Sequence, residues 1–453
     1  MFWRNPTALA QVILVSVVCF TCPGLFNALT NIAAGVADPT ITYNGSAILY
    51  AFFAVFGFFG GGVVNIIGPK WTLFIGTWGY VLYSLSLLFM DENYDKETNQ
   101  YASLAKLYFY IANALLGIGA GFLWTAQGQM CMAYPTQETK GTYFAYFWVI
   151  FNLGGTLGGF MAFGTNYDLS TDGASASTLT YIIFLILMSC GALLSLFLAN
   201  PENVVRNDGS RVLVARLPSP TQEILATARV FVDPKMLLLF PLFAYSNWFY
   251  SYHSFFNTAF FNTRSASLSS AFYWAAQMLG AYTVGIFLDR PGPKKFKALR
   301  SILIIGASVM VMWGAACWLQ LDFDLSNDEG KQKNIDFQEA RFYPKWLLYM
   351  YFGFNDAVVQ VWSYWLMGQL SDDLGTLGRY SGYYKCVQSG MAAVAWRLNG
   401  IPVSGIASLT VSWAIAALGM VGAYISVYNY LADVPRDRYD EFDMLDEIAK
   451  DRR

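Results

Sequence analysis

Long apolar segments alternate with short polar ones along most of this chain. Each apolar segment has about 20 residues or more, the length a helix needs to cross the roughly 30 Å hydrocarbon core of a bilayer. A membrane β-barrel is excluded because the segments lack a period of two and are about twice the length of a barrel strand. We predict twelve spans, at residues 9–35, 44–67, 71–90, 104–132, 142–164, 178–199, 235–262, 267–288, 300–320, 344–370, 378–397 and 406–431.

The order of these segments predicts an all-α integral membrane protein with two pseudo-symmetric halves of six helices each. A polar stretch at 200–233, with several proline and asparagine residues, separates segment six from segment seven. We therefore divide the chain into a first bundle at 1–199, a linker at 200–233 with a candidate short surface helix, a second bundle at 234–432 and a charged tail at 433–453.

Two short motifs occur once in each half and indicate an internal duplication. The first motif consists of Gly61, Asn65 and Gly68 in one half and of Gly285, Asp289, Arg290 and Gly292 in the other, each followed by Pro-Lys. The second motif, Gly-x-Tyr-x-x-Tyr, begins at Gly141 and again at Gly378. A duplicated helical bundle is the usual architecture of a secondary transporter.

Composition and charge agree with a membrane protein. Of 453 residues, 56% are hydrophobic and 13% are charged, about half the charged fraction of ~25% in soluble proteins. If the N-terminus is cytoplasmic, most Lys and Arg residues between segments fall on the cytoplasmic side, which places both termini and the linker there. No cleavable signal peptide is predicted, because the first segment is too long. The pattern does not distinguish the plasma membrane from an internal one.

The motif around Gly285 resembles the signature that links paired helices in the major facilitator superfamily. There, glycine permits close helix approach, and an acidic residue faces the positive N-terminal end of a neighbouring helix. We call the two copies of this motif the latches. We predict that Asp289 lies within hydrogen-bond range of the helix start near Gly141–Tyr143, or of Arg290 and its neighbours. A plain basic turn is the alternative. In the first latch Asn65 replaces the acid, so we expect that latch to be uncharged and weaker.

Four ionisable side chains lie inside predicted spans: His253, Asp356, Lys385 and Arg397. Such a residue costs at least about 2.5 kcal/mol at the bilayer centre, so each needs a partner or water. Lys385 is long enough to reach Asp356, and we expect them to pair, either as a static packing pair or as a coupling site for a cation or proton. His253 either forms a hydrogen bond inside the bundle, which we favour, or relays protons.

Polar and aromatic residues also collect on spans one, four, seven and ten, which line the central cavity in a bundle of this type. Packing in the protein interior is the alternative for any single aromatic residue. Together with Asp356, Lys385 and His253, the candidate cavity or coupling residues are Asn27, Trp124, Gln127, Asn247, Tyr250, Gln360 and Gln388.

No catalytic centre is predicted. The six cysteines lie in apolar segments, and a single histidine without a Cys/His cluster offers no metal site. We therefore expect neither an enzyme nor a cofactor, and no nucleic-acid partner. Asn44 begins an Asn-Gly-Ser sequon that we place in the first outside loop, where glycosylation is allowed; an unused sequon is the alternative.

Several longer strings resemble the UNC-93-like family, its fungal and protist members more than its animal ones. They are Gly117–Gln129, Tyr134-Pro135, Lys140-Gly141, Phe147–Gly154, Ser246–Tyr252, Phe272–Trp274, Gly353–Ala357 and Gly382–Gly390. The resemblance runs from about Asn44 to Arg397 and implies a twelve-span facilitator fold. It leaves two functions open. One is secondary transport of a small molecule or ion by alternating access. The other is a non-transporting role as a chaperone or channel-regulating partner of another membrane protein.

Overall fold

A computed structural model describes residues 6–33, 39–95, 100–165, 167, 178–214, 217, 219–325, 333–399 and 404–432. The chain is almost entirely helical in these ranges. The first half contains α1 Ala8–Cys19, α2 Leu25–Ala33, α3 Pro39–Ile67, α4 Pro69–Glu92, α5 Ser103–Ala133, α6 Lys140–Thr165 and α7 Thr178–Ser195. A short antiparallel hairpin, β1 Tyr94–Asp95 and β2 Gln100–Tyr101, lies between α4 and α5.

The linker contains one helix, α8 Pro220–Arg229. The second half contains α9 Pro234–Phe260, α10 Thr263–Leu288, α11 Lys294–Leu325, α12 Phe342–Leu370, α13 Leu374–Asn399 and α14 Gly405–Tyr430. Each predicted apolar segment therefore corresponds to a helix or, for the first segment, to a pair of helices.

The first predicted span is interrupted in its middle. A π-helical turn at Phe20–Gly24 contains Pro23 and separates α1 from α2. Proline has no amide hydrogen to donate, so it breaks the regular hydrogen-bond ladder and kinks the helix. At the same turn, a Cβ on Gly24 would lie 2.9 Å from the Phe151 carbonyl oxygen, so glycine lets the kink pack against α6.

Eight helical segments in the described part of the chain are long and apolar enough to cross a membrane. They are Ala8–Thr30, Thr40–Ile67, Pro69–Glu92, Ser103–Ala133, Lys140–Thr165, Thr263–Leu288, Lys294–Asp324 and Gly405–Tyr430. Helices α9, α12 and α13 fall outside this set and carry buried polar side chains, among them His253, Asp356 and Lys385. These buried polar side chains lower the hydropathy of the three helices and make the interior of the bundle polar.

The two halves meet along two long helix pairs, α3 with α13 and α6 with α10. A Cβ on Gly61 would lie 2.9 Å from the Gly378 carbonyl oxygen, and one on Gly285 would lie 2.5 Å from that of Gly141. The latch at Gly61 in the first half therefore contacts the Gly-x-Tyr-x-x-Tyr motif at Gly378 in the second half. The latch at Gly285 in the second half contacts the same motif at Gly141 in the first half. Only glycine allows backbones to approach this closely.

The linker helix α8 lies against α3 with its polar side inward. Its N-cap Ser219 accepts a hydrogen bond from the Gln222 amide at 3.3 Å. Glu223 and Thr227 are both buried, and a Cβ on Gly62 would lie 3.6 Å from each of them. Ile224, by contrast, is 52% exposed. This polarity is the reverse of that of a helix on a water-soluble domain.

Candidate functional site

The centre of the candidate site is the carboxylate of Asp356, which is 2% exposed on α12. Its Oδ2 atom accepts hydrogen bonds from the Tyr250 hydroxyl at 2.8 Å, the Tyr273 hydroxyl at 2.9 Å and Gln277 Nε2 at 2.8 Å. Its Oδ1 atom accepts one from Gln360 Nε2 at 2.6 Å. Helices α9, α10 and α12 thus all supply donors, and most of the carboxylate's roughly four acceptor sites are occupied.

Lys385 on α13 lies in the same polar network but does not contact Asp356. Its ammonium group donates to Gln388 Oε1 at 2.7 Å. Gln388 Nε2 in turn lies 3.1 Å from Gln360 Oε1, and Gln360 donates to Asp356. Two amide side chains therefore separate the two charges, and the expected direct ion pair is not present.

Aromatic rings explain where the ammonium group lies. Lys385 Nζ is 4.8 Å from the ring centroid of Trp124, 4.9 Å from that of Tyr384 and 5.4 Å from that of Tyr364. A desolvated cation over ring faces gains about 2 kcal/mol or more. Trp124 belongs to α5, so the cation of the second half is held by a ring of the first half. Trp124 itself donates to the Tyr80 hydroxyl at 3.1 Å.

His253 on α9 is one step removed from the carboxylate. Its Nδ1 atom lies 3.2 Å from the Tyr273 hydroxyl, whose single hydrogen is donated to Asp356. Nδ1 therefore carries the hydrogen and donates to Tyr273. The ring also stacks on Phe352, with centroids 4.3 Å apart. The structure thus contains the hydrogen bond that the sequence favoured, and the bond orients a residue that binds Asp356.

The remaining candidates lie outside this network in the described part of the chain. Gln127 donates to Cys131 Sγ at 3.3 Å, and its Oε1 atom has no partner among the described residues. Asn247 is buried on α9, and Asn27 is half-buried on α2. Arg397 lies in the last turn of α13. These residues share the bundle with Asp356 without contacting its carboxylate.

Two of the residues that bind the Asp356 carboxylate, Tyr273 and Gln277, were not among the candidates. Both lie on α10, the eighth predicted span, which is outside the four spans that were expected to line the cavity. Their separation of four residues places them on one face of the helix. A polar pair at this spacing within an apolar segment is the signal that could have found them.

The second-half latch has the geometry expected from the sequence. Asp289 follows α10 directly, and its carboxylate accepts hydrogen bonds from the Gly141 amide at 2.8 Å and the Thr142 amide at 2.5 Å. These amides are at the start of α6, where the helix dipole also favours a negative charge. Arg290 and Gly292 belong to the turn that follows, with Gly292 at a φ of 136°.

The first-half latch is not uncharged, contrary to the expectation. Asn65 Nδ2 donates to the Gly375 carbonyl oxygen at 3.0 Å and to Glu223 Oε1 at 2.6 Å. Arg379 Nε donates to the same Glu223 oxygen at 2.9 Å. The sequence motif lacks the acid, but the linker helix supplies a carboxylate at this point. The linker could not be placed there from sequence, since its fold depends on tertiary contacts.

Further contacts close the end of the bundle that carries both latches, which we call the latch end. Lys140 donates to the Gly368 carbonyl and lies 3.4 Å from Asp372 Oδ1. Gln137 donates to the same Asp372 oxygen at 2.7 Å, and Gln369 donates to the Gln137 carbonyl at 3.0 Å. The start of α6 in the first half is thus joined to the end of α12 in the second.

The sequon does not lie in a loop as predicted. Asn44 is half-buried within α3, which begins at Pro39. The next residue, Gly45, packs so closely that a Cβ would lie 2.7 Å from the Phe109 ring of α5. The predicted loop position is therefore wrong, and modification of Asn44 stays a prediction.

The fold and its polar interior define the class of the protein, the major facilitator fold. The chain is similar to the transporter FucP in its outward conformation, with a TM-score of 0.61 and 12% identity over 92% of this chain and 98% of that one. It is also similar to a bacterial homologue of the iron transporter ferroportin in the outward-facing state, with a TM-score of 0.64 and 12% identity over 93% and 99%. These likenesses establish the fold alone.

Sequence relatives then establish the family. Residues 35–373 match the family described as "Ion channel regulatory protein UNC-93". UNC93-like proteins 1 and 2 of Arabidopsis thaliana are each 40% identical over 436 residues, covering 95% of this chain and 92% of theirs. An UNC93-like protein of Schizosaccharomyces pombe is 34% identical over 422 residues, covering 92% and 81%. The chain belongs to the UNC-93 family, which confirms the resemblance at the level of the family; the closer likeness to fungal and protist members stays a prediction.

Proposed function

We propose that this protein is a secondary transporter of the major facilitator type that works by alternating access, with Asp356 as its coupling site for a proton or another cation. The observation that carries the proposal is a buried carboxylate held by donors from three helices, with no cation in direct contact among the described residues. An ionisable group at such a position in a membrane bundle marks an ion or proton pathway by default. Movement of the donor helices changes its affinity for the coupling ion.

The position of Lys385 supports the same function. Its ammonium group lies between the halves, over Trp124 of the first half, and is joined to Asp356 through two amides. When the halves move apart, the ring and the ammonium group separate. Occupancy at Asp356 and the arrangement of the halves are then linked, as transport coupling requires.

In the proposed topology, α7, α9, α12 and α13 complete a set of twelve spans. The two six-helix halves are residues 1–199 and 234–432, and the linker at 200–233 is cytoplasmic. The charged tail at 433–453, outside the described residues, is cytoplasmic too. The latch end then faces the cytoplasm, so the contacts there belong to a state closed on that side. The substrate is a small molecule or an ion.

The test is charge movement in reconstituted liposomes after a pH jump, recorded on a solid-supported membrane. The wild-type protein should give a transient charge displacement without added substrate, and Asp356→Asn should abolish it. Ser363→Ala is the matched control, because Ser363 lies on the same helix, is equally buried and bonds only the Val359 carbonyl. No displacement in the wild type, or an equal one in Asp356→Asn, overturns proton coupling at this site.

A second candidate function is that of a non-transporting partner of another membrane protein, as the family's description suggests. A specific observation favours it: a groove of about 500 Å³ on the outer surface of the bundle, between α3, α13 and the linker. Its lining is almost wholly apolar and consists of Ala54, Val55, Phe58, Phe59, Ala228, Phe231 and Cys386. Such a groove would take a few apolar side chains from a helix of a channel or receptor.

One substitution separates the two functions. Ala54→Trp fills the groove from its wall without contacting Asp356. A transporter should keep its pH-jump signal in this variant. A partner protein should lack that signal even in the wild type, and Ala54→Trp should then reduce the surface delivery or current of the membrane protein that depends on it.

A further inference from the structure

The first latch is held together by a residue that is not part of its motif. Glu223 is 3% exposed although it lies in the linker, and one of its oxygens accepts from both Asn65 and Arg379. Asn65 belongs to α3 of the first half and Arg379 to α13 of the second. A single carboxylate oxygen therefore joins the two halves at the latch end.

Internal symmetry indicates what this carboxylate does. In the second half, Asp289 follows α10 and binds the start of α6 directly. The equivalent place in the first half is at Asn65 near the end of α3, facing the start of α13. Asn65 bonds the Gly375 carbonyl there but brings no charge. Glu223 reaches the same place from outside the bundle and brings the charge that is missing.

We propose that Glu223 is the acid of the first latch, so that the linker helix α8 is a working part of the gate between the halves. The proposal rests on the alternating-access function above. A buried charge that loses its partner is strongly unfavourable. Opening of the latch end must separate Asn65 from Arg379, so Glu223 keeps only one of its two donors. Glu223 thus stabilises the closed state, and it is a positioning residue.

Local packing supports a fixed position for α8. Gly62 leaves room for Glu223 and Thr227 against α3, and Ser219 caps the first turn of the helix. Thr227 also bonds the Glu223 carbonyl at 2.9 Å. The carboxylate is therefore presented by a folded helix that packs on the first half.

The test measures how open the latch end is. Ser381 is fully buried on α13 and packs against Gly128 of α5, across the interface between the halves. Ser381→Cys, in a background without the native cysteines, reports opening through its labelling by a membrane-impermeant maleimide from the cytoplasmic side. Labelling is measured well below the melting temperature, and the melting temperature is recorded in parallel.

Glu223→Gln should raise the labelling rate about tenfold, which corresponds to about 1.4 kcal/mol in the opening equilibrium. Asn65→Asp combined with Glu223→Gln should return the rate towards that of the unmodified latch, because the acid is then restored within the motif. Glu202→Gln, an exposed carboxylate of the same linker, should leave labelling unchanged. Asp289→Asn removes an acceptor from the start of α6 and serves as the reference for an opened second latch.

The possible outcomes separate the role of Glu223 in the latch from the proposal of alternating access. An unchanged rate in Glu223→Gln, with a raised rate in Asp289→Asn, overturns the role of Glu223 and leaves the transport proposal standing. No change in either variant overturns alternating access. A lower melting temperature of Glu223→Gln without faster labelling marks a merely structural role and also overturns the inference. If Glu223→Gln does not fold, failure of the double variant to recover folding and closure overturns it as well.

Discussion

At Asp356 the charge is stabilised by hydrogen bonds rather than by a neighbouring cation. Two tyrosines and two glutamines donate to the carboxylate. Hydrogen bonds to a charged group contribute about 1.5–3 kcal/mol each, which offsets part of the several kcal/mol that desolvation of a buried ion costs. The direct contacts of the Asp356 carboxylate are therefore all made by neutral donors, and Lys385 acts on it only across the two intervening amides.

This arrangement predicts weak energetic coupling between the two charges. In a double-mutant cycle on the free energy of unfolding, Asp356→Asn and Lys385→Met should couple by well under the about 3–5 kcal/mol that breaking a direct buried ion pair costs. The control cycle pairs Lys385→Met with Gln388→Leu, whose side chains bond at 2.7 Å. Stronger coupling between Asp356 and Lys385 than in this control would contradict the bridged geometry.

The sequence identified the charged residues of the site and some of their partners. Tyr250 and Gln360, which bind Asp356, were among the candidates, whereas Tyr273 and Gln277 were not. Asp356, Lys385 and His253 stand out because each interrupts an apolar segment. Tyr273 does not stand out, because an aromatic residue in such a segment is usually part of the packed interior. The direct pair was expected because the reach of a lysine is known from its length. Where the ammonium group lies depends on the rings of another helix, and the sequence does not reveal that contact.

Among the elements, the junction of α9 and α10 is fastened at the end of the bundle away from the latches. Asp336, just before α12, accepts from Arg264 Nε at 2.6 Å and Asn262 Nδ2 at 2.8 Å. Burial alone would raise the pKa of the Asp336 carboxyl, but these donors and the Gln338 amide outweigh burial and hold that pKa below its ordinary value. The segment before α12 is thereby tied to the start of α10.

The lowered pKa of Asp336 fixes the sign of a pH effect. The folded state binds the proton more weakly than the unfolded state, so the stabilisation is present above the unfolded pKa of about 3.9 and is lost as pH falls through the folded value. Asp336→Asn should therefore lower the melting temperature at pH 7, and the difference from wild type should shrink below about pH 4.

Glu339→Gln is the matched control in the same segment. Its pair with Arg341 is well exposed, and exposed pairs contribute little. The measurement is the melting temperature of both variants and of the wild type between about pH 7 and pH 3. A deficit of Asp336→Asn that persists unchanged at the lowest pH would contradict an ionic origin.

The apolar pattern predicted the positions of the helices more closely than it predicted breaks within them or their first residues. The predicted span at 142–164 corresponds to α6, Lys140–Thr165. The break between α1 and α2 was not predicted, although Pro23 is visible in the sequence, because a proline inside a membrane helix is often tolerated. The sequon at Asn44 was predicted in a loop because the apolar segment begins only at residue 44. Helix α3 begins earlier, at Pro39, so Asn44 lies within it.

For the whole molecule, the proposed topology predicts on which side each turn lies. Gly209 in the linker and Asn334 before α12 are both exposed turn residues with positive φ, of 81° and 56°. An epitope tag inserted after Gly209 should be accessible only from the cytoplasm, and one inserted after Asn334 only from the other side. Antibody labelling of intact and permeabilised cells checks this, with an untagged chain as the control. Both tags on one side would exclude the six-plus-six arrangement.

The duplication could be predicted at this scale because it depends on backbone geometry. Gly61, Gly141, Gly285 and Gly378 recur in sequence because each allows a close backbone approach between the halves. The chemistry of the two latches did not follow in the same way. Asn65 indicated a lost charge, and the sequence offered no sign that Glu223 would occupy that place.

An acid delivered by the linker changes how this family's sequences should vary. If position 65 and position 223 share one task, a chain with an aspartate at the first has no need of a glutamate at the second. An aligned set of relatives should therefore contain the acid at one position or the other, seldom at both and seldom at neither. Positions 65 and 223 should therefore covary, although no sequence motif contains both of them. Position 65 would look degenerate only if it were examined without position 223.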